Sequence, residues 1–407
     1  MRTLGYQMIG LCLLLTAIPV SALAESEIDI LRAELTQMRA DYEARIANLE
    51  QRLDEAEKKA EQQPAPATAA TDQYEPVQAD TTVYNPLPDT GSRFNPDLGV
   101  IFQGQAWSYQ NDPEDYQVPG FPFGGEAGPL PEGLSLGEIE INISANVDDK
   151  FTAWLTAPLV IEDGETAIEI EEAWIETLKL PAGLSLRMGR FYSNIGYLNN
   201  KHSHSWDFAD QPLVYQAFLG NQYLDDGLQM RWLAPTDFYL ELSAELTRGD
   251  RYPAGGAGRS GFGSYTLRAR TGGDIGYSNS WQAGLSYLSA EADERASGDE
   301  DDPFLFTGAS DLYIAEFVWK WAPNGNSRQR NFVFQAEYLW RNEDGFYDLP
   351  DRGPLPYDTD QQGFYLQTVY QPFPRWRLGL RYDRLSSDSP GIAFGGTALM
   401  PASDDPY

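Results

Sequence analysis

The sequence predicts an all-β transmembrane barrel preceded by an N-terminal α-helical coiled coil. Three observations predict it. From Leu98 onward the chain runs in segments of roughly ten residues with period-two alternation. The connections between them sort into very short and long ones, as the two rims of an outer-membrane barrel do. Nine of the ten tryptophans fall in predicted strands, mostly near strand ends, where a headgroup layer suits an indole.

Residues 1–24 read as a secretory signal. They carry Arg2, an apolar run from Met8 to Val20, and the small-x-small site Ala22-Leu23-Ala24. Cys12, the chain's single cysteine, lies inside that run, which excludes a disulfide or a cysteine zinc site after cleavage. Residues 25–62 contain neither Gly nor Pro. Ile28, Leu31, Leu35, Met38, Tyr42, Ile46, Leu49, Leu53, Ala56 and Ala60 repeat in heptads with one four-residue insertion near Tyr42, a stutter. So narrow an apolar stripe on a charged helix predicts self-association as a coiled coil, against a lone helix resting on another surface. Two and three strands are not distinguished. Residues 63–93, rich in Pro, Ala and Thr, form a spacer.

Residues 94–407 are the barrel. Thirteen strands are expected near 98–109, 135–147, 151–161, 167–180, 184–195, 226–234, 238–248, 265–271, 281–290, 310–322, 331–341, 362–371 and 376–385. Asp148-Asp149-Lys150, Pro181-Ala182-Gly183, Pro235-Thr236-Asp237 and Pro372-Phe373-Pro374-Arg375 are the tight turns. The acidic residues Asp299 to Asp302, Glu343, Asp344, Asp348, Asp351, Asp358 and Asp360 are expected in external loops. With strand one running outward, strand thirteen also runs outward, which would leave both edges unpaired in lipid. The expectation is therefore a barrel truncated at its C-terminus, with about 13 strands here and sixteen when complete.

Composition narrows the function. With 29 basic against 61 acidic residues and a net charge of −32, nucleic acid is excluded as a partner. Two histidines exclude a histidine-rich metal centre. A hydrolase would need a Ser–His pair on the outer wall, whereas both histidines lie in a loop, so no enzyme is expected.

The run Arg187-Met188-Gly189-Arg190-Phe191-Tyr192-Ser193-Asn194-Ile195-Gly196-Tyr197 resembles a strand motif of phosphate-selective-porin-like outer-membrane proteins. His204-Ser205-Trp206-Asp207-Phe208-Ala209-Asp210, with Gly220-Asn221-Gln222-Tyr223 and Asp225-Asp226-Gly227, is similar to a proteobacterial family labelled zinc-regulated outer-membrane receptors, related to siderophore porins. The resemblance spans roughly residues 25–400. It implies an outer-membrane protein of a Gram-negative bacterium, trimeric as porins are, with the coil in the periplasm. It also implies a chain that continues beyond Tyr407. The family label often adds TonB dependence. A plugged receptor of that type needs about 22 strands and a folded plug, for which residues 63–94 have neither length nor apolar content.

Selectivity is expected in the stretch from Gly196 to Asp226, whose apolar Leu213-Val214-Tyr215 and Ala217-Phe218-Leu219 predict folding against the inner wall. His202, His204, Trp206, Asp207 and Asp210 would then line a constriction. His202 and His204 with Asp207 or Asp210 make a weak zinc site conceivable; ordinary hydrogen-bonded loop histidines are the plainer alternative, and no cofactor is expected. Glu138, Glu140, Glu169, Glu171, Glu241 and Glu245 face Arg187, Arg231, Arg268, Arg270, Arg377 and Arg381 across the lumen, either as an orienting field or as wall-stiffening salt bridges.

The expected function is a porin-like channel for small polar or cationic solutes, with zinc or metal chelates among them. The alternatives are a gated high-affinity metal or siderophore receptor and a non-transport tether or adhesin. Expected partners are outer-membrane lipid and lipopolysaccharide, small solutes, and a second copy through residues 25–62.

Overall fold

The computed structural model describes residues 96–400, apart from 111–115, 117, 119, 126, 163–164, 256–260, 298–302, 350–352, 389–391 and 395–396. The expected signal, coil and spacer lie outside the described residues, as do the side chain of Glu138, Asp351 and the acidic run from Asp299 to Asp302.

Sixteen strands form among the described residues. They are β1 (Asp97–Trp107), β2 (Gly133–Asn146), β3 (Phe151–Glu162), β4 (Glu165–Ile168), β5 (Glu172–Thr177), β6 (Leu184–Tyr192), β7 (Leu224–Leu233) and β8 (Tyr239–Thr247). They continue with β9 (Ser264–Ile275), β10 (Asn279–Ser297), β11 (Phe304–Trp321), β12 (Asn331–Leu349), β13 (Gly353–Phe373) and β14 (Trp376–Ser387). A separate hairpin pairs β15 (Ile392–Phe394) with β16 (Thr397–Met400). The first fourteen make one sheet in which each strand pairs antiparallel with its chain neighbour, β4 attaching to β3 beside β5. The order ends at β1 and β14, which are not paired with each other among the described residues.

All thirteen expected strands have a counterpart. The tight turns are also where the sequence puts them. Asp148 Oδ1 accepts the backbone N–H of Lys150 and of Phe151 at 2.7 and 2.9 Å, an Asx-type turn. At Pro181-Ala182-Gly183 the chain turns through two left-handed residues, φ 59° at Ala182 and 75° at Gly183.

Two expectations need correction. First, β10 to β13 run 18 to 21 residues, well beyond the predicted ends. Glu343, Asp344, Asp348, Asp358 and Asp360 therefore sit in strands, not loops. A charged side chain does not end a hydrogen-bond ladder, which here continues through Glu343, Asp344, Asp348, Asp358 and Asp360. Second, the expected strand 167–180 is broken. Leu159 pairs with Ile168 but Thr156 with Glu172, so three steps on β3 face four on the other side. That is a one-residue bulge, and it turns adjacent side chains the same way.

The two faces of the sheet are inverted relative to a water-soluble protein. In β9, Tyr265, Leu267 and Ala269 are exposed while Ser264, Thr266, Arg268 and Arg270 are buried. In β13, Thr359, Gln361 and Gln367 are buried and Leu366 and Tyr370 exposed.

The sheet is curled. Flat, a ladder of thirteen strands would be about 58 Å wide at ~4.8 Å per strand. Yet one internal segment, residues 193–223, hydrogen-bonds or ion-pairs with β1 through Gln103, β2 through Glu140 and β8 through Glu245. It also reaches β9 through Arg268, β12 through Glu337 and β14 through Arg381. Only a wrapped sheet brings both its ends to the same thirty residues. The apolar core lies on the inside, between Ile195, Leu198, Val214, Tyr215, Phe218 and Leu219 of the segment and Leu288, Leu312, Ile314, Leu339, Tyr365 and Leu385 of the wall. No helix among the described residues is long and apolar enough to cross a membrane, which says nothing of strands.

Candidate functional site

The internal segment begins where β6 leaves the ladder. Asn199 ties its two ends together: Nδ2 donates to the carbonyls of Ser193 and Tyr223 at 2.8 Å each, and Oδ1 accepts the Tyr223 N–H at 2.7 Å. The returning half holds a short helix, α1 (Leu213–Leu219). Pro212 is its N-cap, and its carbonyl accepts the N–H of Tyr215 and of Gln216 at 2.9 and 3.2 Å. Gly220 ends it at φ 59° and ψ 42°, where a Cβ would lie 2.6 Å from the Gly124 carbonyl oxygen. Burying Val214, Tyr215, Phe218 and Leu219 contributes about 1.5–3 kcal/mol per side chain, as an upper estimate. The helix is held by the wall and not by its own seven residues, too few to be stable alone.

Polar latches add to this packing. Glu337 of β12 accepts the Tyr197 N–H at 2.7 Å, the Tyr215 hydroxyl at 2.9 and 3.0 Å, and the Tyr365 hydroxyl at 2.7 Å. Glu245 of β8 accepts the Ser193 hydroxyl and, at 2.7 Å, the Asn194 N–H. On β14, Arg377 binds Asp207, and Arg381 binds Asp210 at 2.9 Å.

Opposite these latches, His202 enters a group of carboxylates. Its Nε2 lies 3.0 Å from Glu172 Oε2, and its Nδ1 lies 3.3 Å from Glu171 Oε2 and 3.6 Å from Glu140 Oε2. His204 stacks alongside, ring centroids 5.9 Å apart, with Nε2 3.6 Å from Glu140 Oε2. The bulge after β4 explains why Glu171 and Glu172 both reach the same imidazole. Burial alone would lower the His202 pKa, but the adjoining carboxylates of Glu171 and Glu172 hold it well above the usual imidazole range. His204 is shifted down, by burial first and by the charge of His202 second.

The predicted residues therefore divide. His202, His204, Glu140 and Glu171 come together. Asp207 and Asp210, expected as metal ligands with the histidines, instead pair with arginines of β14; a partner 170 residues away outcompetes neighbours in sequence. Trp206 is half-buried, its Nε1 donating to the Lys201 carbonyl at 2.8 Å. Glu169 is exposed at the bulge. Arg187 and Arg231 both bind Glu176, Arg187 at 2.7 Å. Arg268 and Arg270 share Glu316 at 2.6 and 3.4 Å. Sequence reading missed Glu172, Glu176, Glu316 and Glu337. Glu316 and Glu337 alternate inward on predicted strands, a signal that was there to be used; Glu172 and Glu176 face inward only because the bulge shifts the parity after Ile168.

A cavity of about 510 Å³ opens beside the C-terminal end of α1, lined by Tyr192, Gln222, Asp250, Arg251, Asp293 and Arg295 among others. Both charge signs line it.

No protein-family model matches the sequence. An uncharacterized protein of Aquifex aeolicus (strain VF5) is 31% identical over 328 residues, covering 75% of this chain and 67% of that protein. Among solved structures, a loop-deletion mutant of OmpT, an outer membrane protein of Vibrio cholerae, is 10% identical, with 73% of this chain and 83% of that chain covered at a TM-score of 0.43. The outer membrane channel DcaP of Acinetobacter baumannii is 13% identical over 77% and 96%, at a TM-score of 0.33. Pseudomonas putida OprB is 9% identical over 72% and 94%, at a TM-score of 0.30. Likenesses of that size decide neither fold nor function. None of these four proteins carries the zinc-regulated-receptor description that residues 204–227 resemble.

Proposed function

The chain belongs to the family of the uncharacterized Aquifex aeolicus protein, and from its own residues we propose that it is a porin-like channel of the outer membrane. Its solutes are small and polar or cationic, and it is not an enzyme. The observation that carries the reading is the inverted sheet, with leucines and aromatics outside and Gln, Thr, Ser, Arg and Glu inside. In water that arrangement is unfavourable at every strand. In a bilayer it is the stable one, because the outer face meets hydrocarbon and the inner face water.

Aromatic rows on the outer face support the same reading. Tyr265, Tyr287, Tyr313 and Trp340 lie ring to ring across β9 to β12, with centroids 5.8, 4.9 and 5.5 Å apart. A second row joins Trp319, Phe332 and Tyr370 at 5.6 and 6.5 Å. Trp340 and Phe332 are separated by roughly 27 Å of strand, or about 20 Å of bilayer depth after the usual tilt. That is close to the apolar band of an outer membrane. Above the upper row the exposed residues turn acidic, with Asp344, Asp348, Asp358 and Asp360. Together with a net charge of −32 they favour cations at that mouth.

The packed internal segment favours a second reading, a gated receptor whose lumen opens when the segment moves. Under either reading zinc or metal chelates are candidate solutes. The heptads of residues 25–62 support periplasmic self-association, in trimers as porin-like barrels use, and the acidic rim supports divalent-ion contacts with lipopolysaccharide. Swelling of protein-loaded vesicles tests the channel. Small cationic and neutral solutes should enter faster than anions of equal size. Vesicles that stay impermeable although the barrel is inserted would exclude the open channel.

A further inference from the structure

The internal segment meets the wall at a group of side chains that the channel reading leaves unused. Glu140 from β2, Glu171 from the bulge before β5, and His202 from the segment each offer one ligand atom, all within 4.8 Å of one another. The imidazole is 7% exposed and the Glu140 carboxylate lies in a residue 1% exposed. We propose that Glu140, Glu171 and His202 form a divalent-metal site of the zinc class that clamps the internal segment to the wall.

Three features point to a ligand and not to a simple ion pair. The donor spacing is right: bonds of about 2.0–2.2 Å to a tetrahedral ion separate its ligand atoms by about 3.3–3.6 Å. His202 Nδ1 lies 3.3 and 3.6 Å from its two carboxylate oxygens. The imidazole is also oriented from behind. Its Nε2–H donates to Glu172 Oε2 at 3.0 Å, which directs Nδ1 into the cluster; metal-binding histidines are held by a carboxylate in this way. Finally, His202 Nδ1 and Glu171 Oε2 are buried and face each other at 3.3 Å in a geometry that falls short of a hydrogen bond, a contact that a bound ion replaces with two short bonds. The other oxygen of Glu171 accepts the Tyr192 hydroxyl, fixing that carboxylate.

The charge balance agrees. Three carboxylates converge on one imidazole; Arg187, ion-paired with Glu176, also acts on Glu172, while Arg231 binds Glu176 and Arg190 binds Asp226. A divalent ion takes the place of the proton on Nδ1 and releases it. One nitrogen and two oxygens suit zinc or a neighbouring first-row ion. His204 lies beside the three ligands, its Nε2 3.6 Å from Glu140 Oε2.

The clamping role rests on the channel reading; the metal site does not. The test is zinc titration of the full chain, folded in detergent, against a chromophoric chelator. One Zn²⁺ per chain is expected. Glu171→Gln and His202→Gln should each weaken it at least ~100-fold and Glu172→Gln about 10–100-fold, the range for a residue that orients a ligand. Heat-modifiable gel mobility shows that each variant is folded. Zinc affinity unchanged in the folded ligand variants would overturn the site, as would an equal loss in Asp207→Asn. X-ray absorption of the zinc-loaded unmodified chain needs no variant: a nitrogen–oxygen shell with an imidazole supports the site, and a shell without imidazole overturns it. Bilayer conductance of the same preparation keeps the two readings apart. Zinc bound in a non-conducting barrel sinks the channel alone, and conductance without site-dependent zinc sinks the site alone.

Discussion

Glu337 is a single carboxylate that receives two tyrosine hydroxyls and a backbone N–H from three different places in the chain. Glu337→Leu removes that acceptor from all three donors at once. Each donor left without it costs about 1–3 kcal/mol, and two of the three, the Tyr197 N–H and the Tyr215 hydroxyl, belong to the segment, so it should loosen by roughly 2 kcal/mol or more while the ladder stays paired. Limited proteolysis reads this as new cleavage between residues 197 and 222 with the strands intact; unchanged protection would contradict the latch. Gly220→Ala acts through the backbone. The left-handed conformation costs a non-glycine residue about 1–2 kcal/mol, and the added Cβ would meet the Gly124 carbonyl at 2.6 Å. The same protease assay should show a smaller loosening. At this scale the sequence was legible for His202 and His204, because two histidines in one stretch invite attention. Of their partners, Glu140 and Glu171 were read as lumen residues but not joined to the histidines, and Glu172 was missed. Asp207 and Asp210 were nearest along the chain, whereas Glu172 became available only through a bulge.

The bulge itself shows where strand-level reading stops. Period two places Glu169 and Glu171 on one face of a continuous strand, and one extra residue breaks that parity with no mark in the composition. The internal segment was easier, since Leu213-Val214-Tyr215 and Ala217-Phe218-Leu219 are too apolar to be a solvated loop. Its role is testable as an element. Replacing residues 201–222 with a short Gly-Ser link keeps Asn194 on Glu245 and removes α1 and both aspartates from the lumen. Unitary conductance should rise several-fold. An unchanged conductance would mean that the segment does not limit the pore.

The molecule as a whole is recognised by which side its leucines face. Leu285 is 67% exposed between the two aromatic rows. In a water-soluble protein Leu285→Arg would change stability by less than about 0.5 kcal/mol. At the middle of a bilayer it should cost about 2–4 kcal/mol, measured by reversible unfolding from lipid vesicles. This scale was also the most legible. Alternation, tight turns and tryptophan placement anticipated all thirteen strands of the ladder, because an apolar outer face and a polar inner face impose one repeating constraint. What exceeded the prediction was strand length, since the ladder of β10 to β13 continues beyond the apolar stretch of the outer face.

The central claim is a conducting barrel narrowed by its own internal segment, and single-channel recording in planar bilayers tests it most directly. The account predicts stable conductance steps with a cation-selective reversal potential under a salt gradient, and larger steps once residues 201–222 are replaced. Folded, inserted barrels that remain silent in both forms would contradict it.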